Sequence, residues 1–488
     1  MKTQTLSTSC AIVILLAAIA PAAENNQSNA HSVVVDFAKS LGKIKALHGV
    51  NNGPVCWGAN DDLTQYHADA GFPSTRLHDM HWPSPDVVDV SCIFPIFDAD
   101  PDDPKYYCFT KTDAYLTPIV KNGSQITYRL GTSAENRTRC YVKGGVYTHP
   151  PKDYAKWAKI CVNIIRHYNE GWANGFHYNI KYFEIWNEPD DNAFGMWAGT
   201  QQQYIQLYEV AAKAIKAHDP SLKVGGPATC SIDHSIVRPF LAYCRDRKLP
   251  LDFFTWHCYQ ASPQVFPKHA AMARALLKEY GFENAESHIT EWHWVNFDWN
   301  ALAPCNTIGA PNPKAYAQMR DTFAGMRGPR GAAFAASVLM LLQDSRLDMA
   351  NHYTADMSPW SMFDEWGIPG KTYSAFLAFN HLTKTPNRVA VAYDSAKLPD
   401  LTLCAGLSED RKTASILIAN YGAAQSSLAV NLQNLPLTGP VQVETLAVDA
   451  THEFAPVSNA TLQSGKAFLH LNVPGNSVYF VRLRSAEK

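Results

Sequence analysis

The sequence predicts a (β/α)8 TIM barrel with a smaller C-terminal β-sandwich behind it. Three observations predict it. Between about residues 45 and 380, eight short β-like runs alternate with longer helical ones. After about residue 385 the helical pattern stops, and only short β-like runs separated by Gly, Asn, Pro and Ser remain. The length of 488 residues with 46% hydrophobic content suits one large barrel plus a smaller unit. Periodicity alone also allows an open doubly wound sheet for the first part.

Residues 1–22 read as an export signal. Lys2 gives the positive start, Ala11 to Ala20 is almost wholly apolar, and Ala20-Pro21-Ala22 offers a small-x-small cleavage pattern. The run is too short to span a bilayer at about 20 residues per crossing. An N-terminal anchor is the alternative. A secreted or periplasmic location follows, with no membrane association in the mature form.

The barrel is assigned to residues 31–384. Its strands are read at Ala46–Val50, Ser74–His78, Gln125–Leu130, Tyr182–Trp186, Lys223–Gly226, Phe253–His257, His288–Glu291 and Met349–Tyr353. Tyr154, Trp157, Cys161, Ile164, Ile165 and Tyr168 recur at helical spacing. So do Ile205, Tyr208, Ala212 and Ile215, in a segment stopped by Pro220. Pro83 to Thr112, rich in Pro and Asp, reads as a long solvated loop after the second strand. Its aspartates do not match an EF-hand spacing. Residues 385–488 form the β-sandwich, with runs at Ala390–Tyr393, Leu401–Cys404, Ala414–Ala419, Leu428–Leu432, Val441–Val448, Ala467–Leu471 and Val478–Leu483.

Composition narrows the function. A net charge of −2 gives no basic field for nucleic acid. The 11 cysteines are scattered, which argues against a structural zinc module, and loss of Cys10 with the signal leaves an even number. Export makes disulfides possible, and Cys92 and Cys108, flanking a loop, are a plausible pair. Asn122, Asn136 and Asn459 begin glycosylation sequons.

In a barrel, chemistry sits at the C-terminal ends of the strands. The fourth strand runs into Asn187-Glu188-Pro189, which places a carboxyl where the chain leaves the sheet. An ordinary turn with a solvated Glu is the plain alternative. The seventh strand ends in Thr290-Glu291-Trp292-His293-Trp294 and brings a second carboxyl. Strands four and seven lie across the barrel, so both carboxyls can face one cleft. Two carboxyls about 5–5.5 Å apart are the layout of retaining glycoside hydrolysis. Environment must then split their pKa values, because two close carboxyls do not both ionise readily.

With these motifs the chain resembles glycoside hydrolase family 39, of the clan of (β/α)8 retaining glycosidases that includes β-xylosidases and α-L-iduronidases. The resemblance covers most of the mature chain, including the late β-domain. It implies that Glu188 is the acid/base, that Glu291 is the nucleophile, and that Asn187 binds the hydroxyl beside the anomeric carbon. It further implies that Arg76, beside His78 at the end of the second strand, orients the nucleophile. A buried structural salt bridge is the alternative for Arg76. At the end of the sixth strand, His257 would touch the sugar and Tyr259 would bond the nucleophile; a core histidine is the alternative for His257. Glu365 resembles the acidic sugar-binding residue after the eighth strand, with Asp364 able to take that role.

Trp57, Trp82, Trp292, Trp294, Trp360 and Trp366 fall near the same rim, where indoles can stack on the apolar faces of sugars. Trp292 and Trp366 join the substrate-binding set. His48, His81, His149, His293 and His352 cluster near strand ends, but no HExxH occurs, so neither metal nor cofactor is expected. The partner is an oligosaccharide. A uronic-acid substrate is disfavoured, because no Lys/Arg cluster marks the strand ends. The expectation is a retaining exo-glycosidase acting on plant-type oligosaccharides, β-xylosidase-like first. An α-L-arabinosidase or arabinobiosidase, a β-galactosidase, a non-catalytic sugar-binding barrel and a metal-dependent hydrolase are the alternatives.

Overall fold

The computed structural model describes residues 30–56, 61–80, 87–133, 148–190, 196–298, 313–463 and 468–485. The expected export signal, Trp57, His81, Trp82 and the Asn136 sequon lie outside them. Among the described residues, no helix is long and apolar enough to cross a membrane.

Eight parallel strands close into a barrel. They are Gly49–Asn51, Ser74–Leu77, Gln125–Leu130, Tyr182–Ile185, Lys223–Thr229, Phe253–Gln260, Glu286–Trp294 and Met349–His352. All eight overlap the expected runs, the first only at Gly49 and Val50. The fifth, sixth and seventh extend three residues past the expected C-terminal ends. The open doubly wound sheet is thereby excluded.

The helices form where the sequence periodicity puts them. In Tyr154–Glu170 the repeating Trp157, Cys161, Ile164, Ile165 and Tyr168 are buried against the barrel. Asp153 caps the helix by accepting the Lys156 N–H at 3.0 Å, and Gly171 ends it in the left-handed region. Gln201–His218 starts in a capping box of Thr200 with Gln203 and stops at Asp219, one residue before Pro220. The Pro83–Thr112 stretch is less irregular than expected. It holds a short helix, Val90–Ile93, and the start of another, Thr110–Lys121. Asp98, Asp102 and Asp103 in that stretch meet Lys152, Lys159 and Lys105. The structure does not join Cys92 to Cys108.

The C-terminal unit is one nine-stranded sheet curled over its own core. All seven expected runs are strands in it, and Glu453–Leu462 is an additional one. The barrel boundary at residue 31 needs correction. His31–Lys43 belongs to this sheet, antiparallel to Asn387–Tyr393 and parallel to Ser426–Gln433. The physical reason is period-two alternation: Val33, Val35 and Phe37 are buried in the sheet's core, and the residues between them face outward.

Helices Pro329–Leu341 and Lys371–Thr383 pack between barrel and sheet, and Leu417, Val478 and Phe480 of the sheet join the barrel's hydrophobic cluster. The Tyr421 hydroxyl reaches across and donates to the Ala261 carbonyl at 2.7 Å.

Candidate active site

The fourth strand ends in a strained turn. Trp186 and Glu188 both have positive φ, 71° and 42°. Left-handed backbone is unfavourable for side chains with a Cβ, and it persists only where the surroundings hold it. Here the Trp186 N–H donates to Leu130 O, the Glu188 N–H donates to Ala228 O, and the Trp186 indole donates to Met196 O at 3.0 Å. Glu188 is thus aimed into the mouth, with 17% of its side-chain surface open.

Glu291 reaches the same space from the seventh strand. The pairing with both neighbouring strands shifts register just before it, as a bulge re-aims a side chain. Only 5% of its side chain is exposed. A carboxylate oxygen of Glu188, one of Glu291 and a ring nitrogen of His257 all lie within 4.8 Å of one another. His257 Nδ1 is 2.7 Å from Glu188 Oε1 and 3.6 Å from Glu291 Oε2.

Arg76 ties the floor together. Its Nε donates to Glu184 Oε2 at 2.6 Å, Nη1 to Glu291 Oε1 at 2.7 Å and Asn51 Oδ1 at 3.2 Å, and Nη2 to Asn187 Oδ1 at 2.6 Å. It is therefore both of the things the sequence allowed, a buried salt bridge and the orienting group for Glu291. Tyr259 donates its hydroxyl to Glu291 Oε2 at 2.5 Å. His78 Nε2 is 3.9 Å from Glu291 Oε1.

Burial is the largest influence on Glu291 and pushes its pKa above the ordinary carboxylate value; His257 and Arg76 oppose the rise, Glu188 adds to it, and the Tyr259 bond opposes it. His257 is pushed down to about 4 by burial, so its imidazole is neutral at pH 7. Burial raises the Tyr259 phenol, and the charge of Glu291 raises it further, so it stays a donor. Burial works against the Arg76 charge, but Glu184 and Glu291 outweigh it and Arg76 remains a cation.

Of the ten residues singled out in the sequence, Glu188, Glu291, Asn187, Arg76, His78, His257 and Tyr259 converge. Trp292 does not. With Glu291 facing the mouth, strand alternation turns the next residue to the helix layer. Trp292 is fully buried against Phe266, His352 and Phe376, so it is a core residue. Trp294, on the same outer face, packs on Gly325. Glu365 and Trp366 sit on an exposed turn after the eighth strand, where Asp364 accepts the N–H groups of Trp366 and Ile368 and Trp366 is 77% exposed. The buried carboxylate of that loop is Asp356, held by Thr354 at 2.5 Å and Asn52 at 3.0 Å.

Sequence reading missed Glu184, Tyr353, Asp79 and the place of Trp360. The half-buried rings of Tyr259, Tyr353 and Trp360 stand 5.9–6.4 Å apart in an aromatic wall beside Glu291. The Tyr353 hydroxyl donates to Asp79 Oδ2 at 3.2 Å. Period-two alternation inside the fourth strand could have found Glu184; nothing local marks Tyr353.

Glu188, His257 and Glu291 are, among the described residues, the one group spaced to hold a metal ion. Within that group, the Glu291 oxygens accept from Arg76 and Tyr259, and Glu188 Oε1 bonds His257 Nδ1.

A carboxyl pair at the mouth of a (β/α)8 barrel, with an orienting cation and an aromatic wall, is the site of a glycoside hydrolase. The chain belongs to glycoside hydrolase family 39: the family model "Glycosyl hydrolases family 39" matches residues 49–292, which hold both carboxyls. The chain is 31% identical over 217 residues to a β-xylosidase of Geobacillus stearothermophilus, covering 38% of this chain and 41% of that protein. It is 24% identical over 455 residues to a β-xylosidase of Caldicellulosiruptor saccharolyticus, covering 85% and 81%. Among solved structures it is similar to a glucosidase from Croceicoccus marinus, with a TM-score of 0.75 at 23% identity over 94% of this chain and 100% of that one.

Proposed function

We propose that this glycoside hydrolase is an exported, retaining exo-enzyme of β-xylosidase type that trims plant-type oligosaccharides from the non-reducing end. The observation that carries the reading is the carboxyl pair, with oxygens of Glu188 and Glu291 within 4.8 Å. Retaining enzymes hold their carboxyls about 5–5.5 Å apart, and inverting ones about 6.5–9.5 Å apart to admit a water. The β-xylosidase relatives support the choice of sugar.

In this reading Glu291 is the nucleophile. Burial raises its pKa, but both of its oxygens accept hydrogen bonds, one from a guanidinium that keeps its own protons, and these partners favour its carboxylate, so the reading takes Glu291 as the ionised member of the pair. The proton of the pair then sits on the more open Glu188, beside neutral His257. Glu188 protonates the leaving oxygen while Glu291 bonds the anomeric carbon and the glycosidic C–O bond breaks. Glu188, now a carboxylate, takes a proton from water, whose oxygen displaces Glu291 and restores both groups. Asn187 turns its oxygen to Arg76, so its NH2 is the edge offered to the neighbouring sugar hydroxyl.

Proton NMR of the first product from an aryl β-xyloside tests retention: the β-anomer is expected first, and α-xylose first would overturn the mechanism. Glu291→Ala is expected to lose on the order of 10⁴-fold in kcat and to be partly revived by azide, giving a glycosyl azide of inverted anomer. Glu188→Ala is expected to fail on poor leaving groups and to spare glycosylation by activated aryl glycosides. A p-nitrophenyl panel with α-L-arabinosides and β-galactosides names the sugar.

A further inference from the structure

Asp79 sits where backbone sterics favour glycine. It follows His78 at the end of the second barrel strand with a φ of 52°, in the left-handed region. Asn52 clamps the bend: its Nδ2 donates to the Asp79 carbonyl at 3.3 Å, and its Oδ1 accepts the His78 N–H at 3.2 Å. A carboxylate in such a bend asks for a reason beyond the turn.

Its surroundings supply one. Asp79 Oδ1 is 3.2 Å from His78 Nε2, the same nitrogen that lies 3.9 Å from Glu291 Oε1. Its Oδ2 accepts from Tyr353, whose ring belongs to the aromatic wall. Asp79 is therefore one imidazole away from Glu291 Oε1, whereas His257, bonded to Glu188, approaches Oε2, and the Asp79 side chain is 10% exposed. A carboxylate only accepts hydrogen bonds, so what it can hold on a substrate is a donor, and a sugar offers hydroxyls.

Charge points the same way. Glu291, Asp79 and Asp356 gather around this floor. Arg76, the cation bonded to Glu291, has every nitrogen committed to Glu184, Glu291, Asn51 or Asn187. A carboxylate arriving on a sugar would meet acidic groups and find that guanidinium taken.

We propose that Asp79 sets the choice of glycone: its carboxylate accepts hydroxyl hydrogens of the sugar held between Glu188 and Glu291, and its charge turns away sugars that carry a carboxylate. The inference rests on the glycosidase reading above and deepens it, since it selects neutral over uronic sugars and assigns the selection to one side chain.

The test compares wild type, Asp79→Gly and Asp79→Asn on the best neutral p-nitrophenyl glycoside of the panel and on p-nitrophenyl β-D-glucuronide, with melting curves for all three. Asp79→Gly relaxes a left-handed residue but gives up the Tyr353 bond and the His78 contact, so its Tm is expected below wild type, whereas Asp79→Asn keeps an acceptor for Tyr353 and is expected to melt near wild type. Both variants are expected to lose about 10- to 100-fold in kcat/KM on the neutral glycoside, the range for a hydrogen bond to a charged group. Their preference for the neutral sugar over the glucuronide is expected to shrink at least as much. Unchanged kcat/KM and preference in both variants, or a wild type that prefers the glucuronide, would overturn the assignment and leave the glycosidase intact. A wild type idle on every glycoside would overturn both.

Discussion

The barrel and the curled sheet bury very different chemistry. Beneath the barrel mouth lie Arg76, Asp79, Asp89, Arg129, Glu184, Asp190, Glu291 and Asp356. Among the described residues of the C-terminal sheet strands and their loops, Asp449 is the one buried charge, at 9% exposure. The sheet is built by alternation: Ile416 and Ile418 face inward on one strand, and Val481 and Leu483 on its neighbour. The barrel has the same apolar jacket but spends its mouth on desolvated charge and left-handed backbone. The barrel thus combines the larger apolar core with the buried charge of its mouth, whereas the sheet holds apolar core with little buried charge, and substitutions should separate the two.

Arg76→Met should have the largest effect. It leaves Glu184 and Glu291 facing each other without their cation, a loss of about 3–5 kcal/mol for a broken buried pair, and it frees Glu291 and Asn187 from their anchor. Urea unfolding with kcat/KM on an aryl glycoside should show both losses together; a variant that is merely less stable would break the link between floor and site. Trp292→Ala comes next. It opens a cavity between barrel and helices worth about 3–5 kcal/mol, while KM stays near wild type because the indole does not line the mouth. A large rise in KM would return Trp292 to the substrate.

The pH dependence sharpens the contrast. Glu291 has a raised pKa in the folded chain, so its contribution to stability is fully present below the ordinary carboxylate value and is lost as pH rises through the folded one. Glu291→Gln should therefore melt above wild type near pH 7, with the gain vanishing towards about pH 4. The buried imidazoles act with the opposite sign. His48, His67 and His257 are pushed down to about 4 by burial, so their contribution is present above about pH 6.5 and lost as pH falls towards 4. All of these groups belong to the barrel. The smallest effect is expected in the sheet: Arg482→Met removes a partly exposed pair with Glu444 at 2.7 Å, worth about 0–1 kcal/mol, with no change in kcat. A multi-kilocalorie loss there would erase the distinction.

Much of this was legible in the sequence because it is local. Eight strands and two long helices follow from apolar spacing, and Asn187-Glu188-Pro189 marks a strand end whatever lies around it. Some of the rest was legible and overlooked. Alternation puts Trp292 outside once Glu291 is inside, and the same rule reads Val33, Val35 and Phe37 as a strand. Asp79 with Tyr353, and Arg76 with Glu184, were not legible: each pair is made by barrel closure across more than a hundred residues of chain, and no spacing rule reaches that far.

The Tyr421 hydroxyl fastens the sheet to Ala261, two residues past Tyr259. The strand that presents the imidazole and the phenol to Glu291 is thus stapled at its mouth end by the C-terminal unit. Cutting the chain after the last barrel helix would release that staple beside the reaction centre, so the appended sheet is expected to act as its buttress.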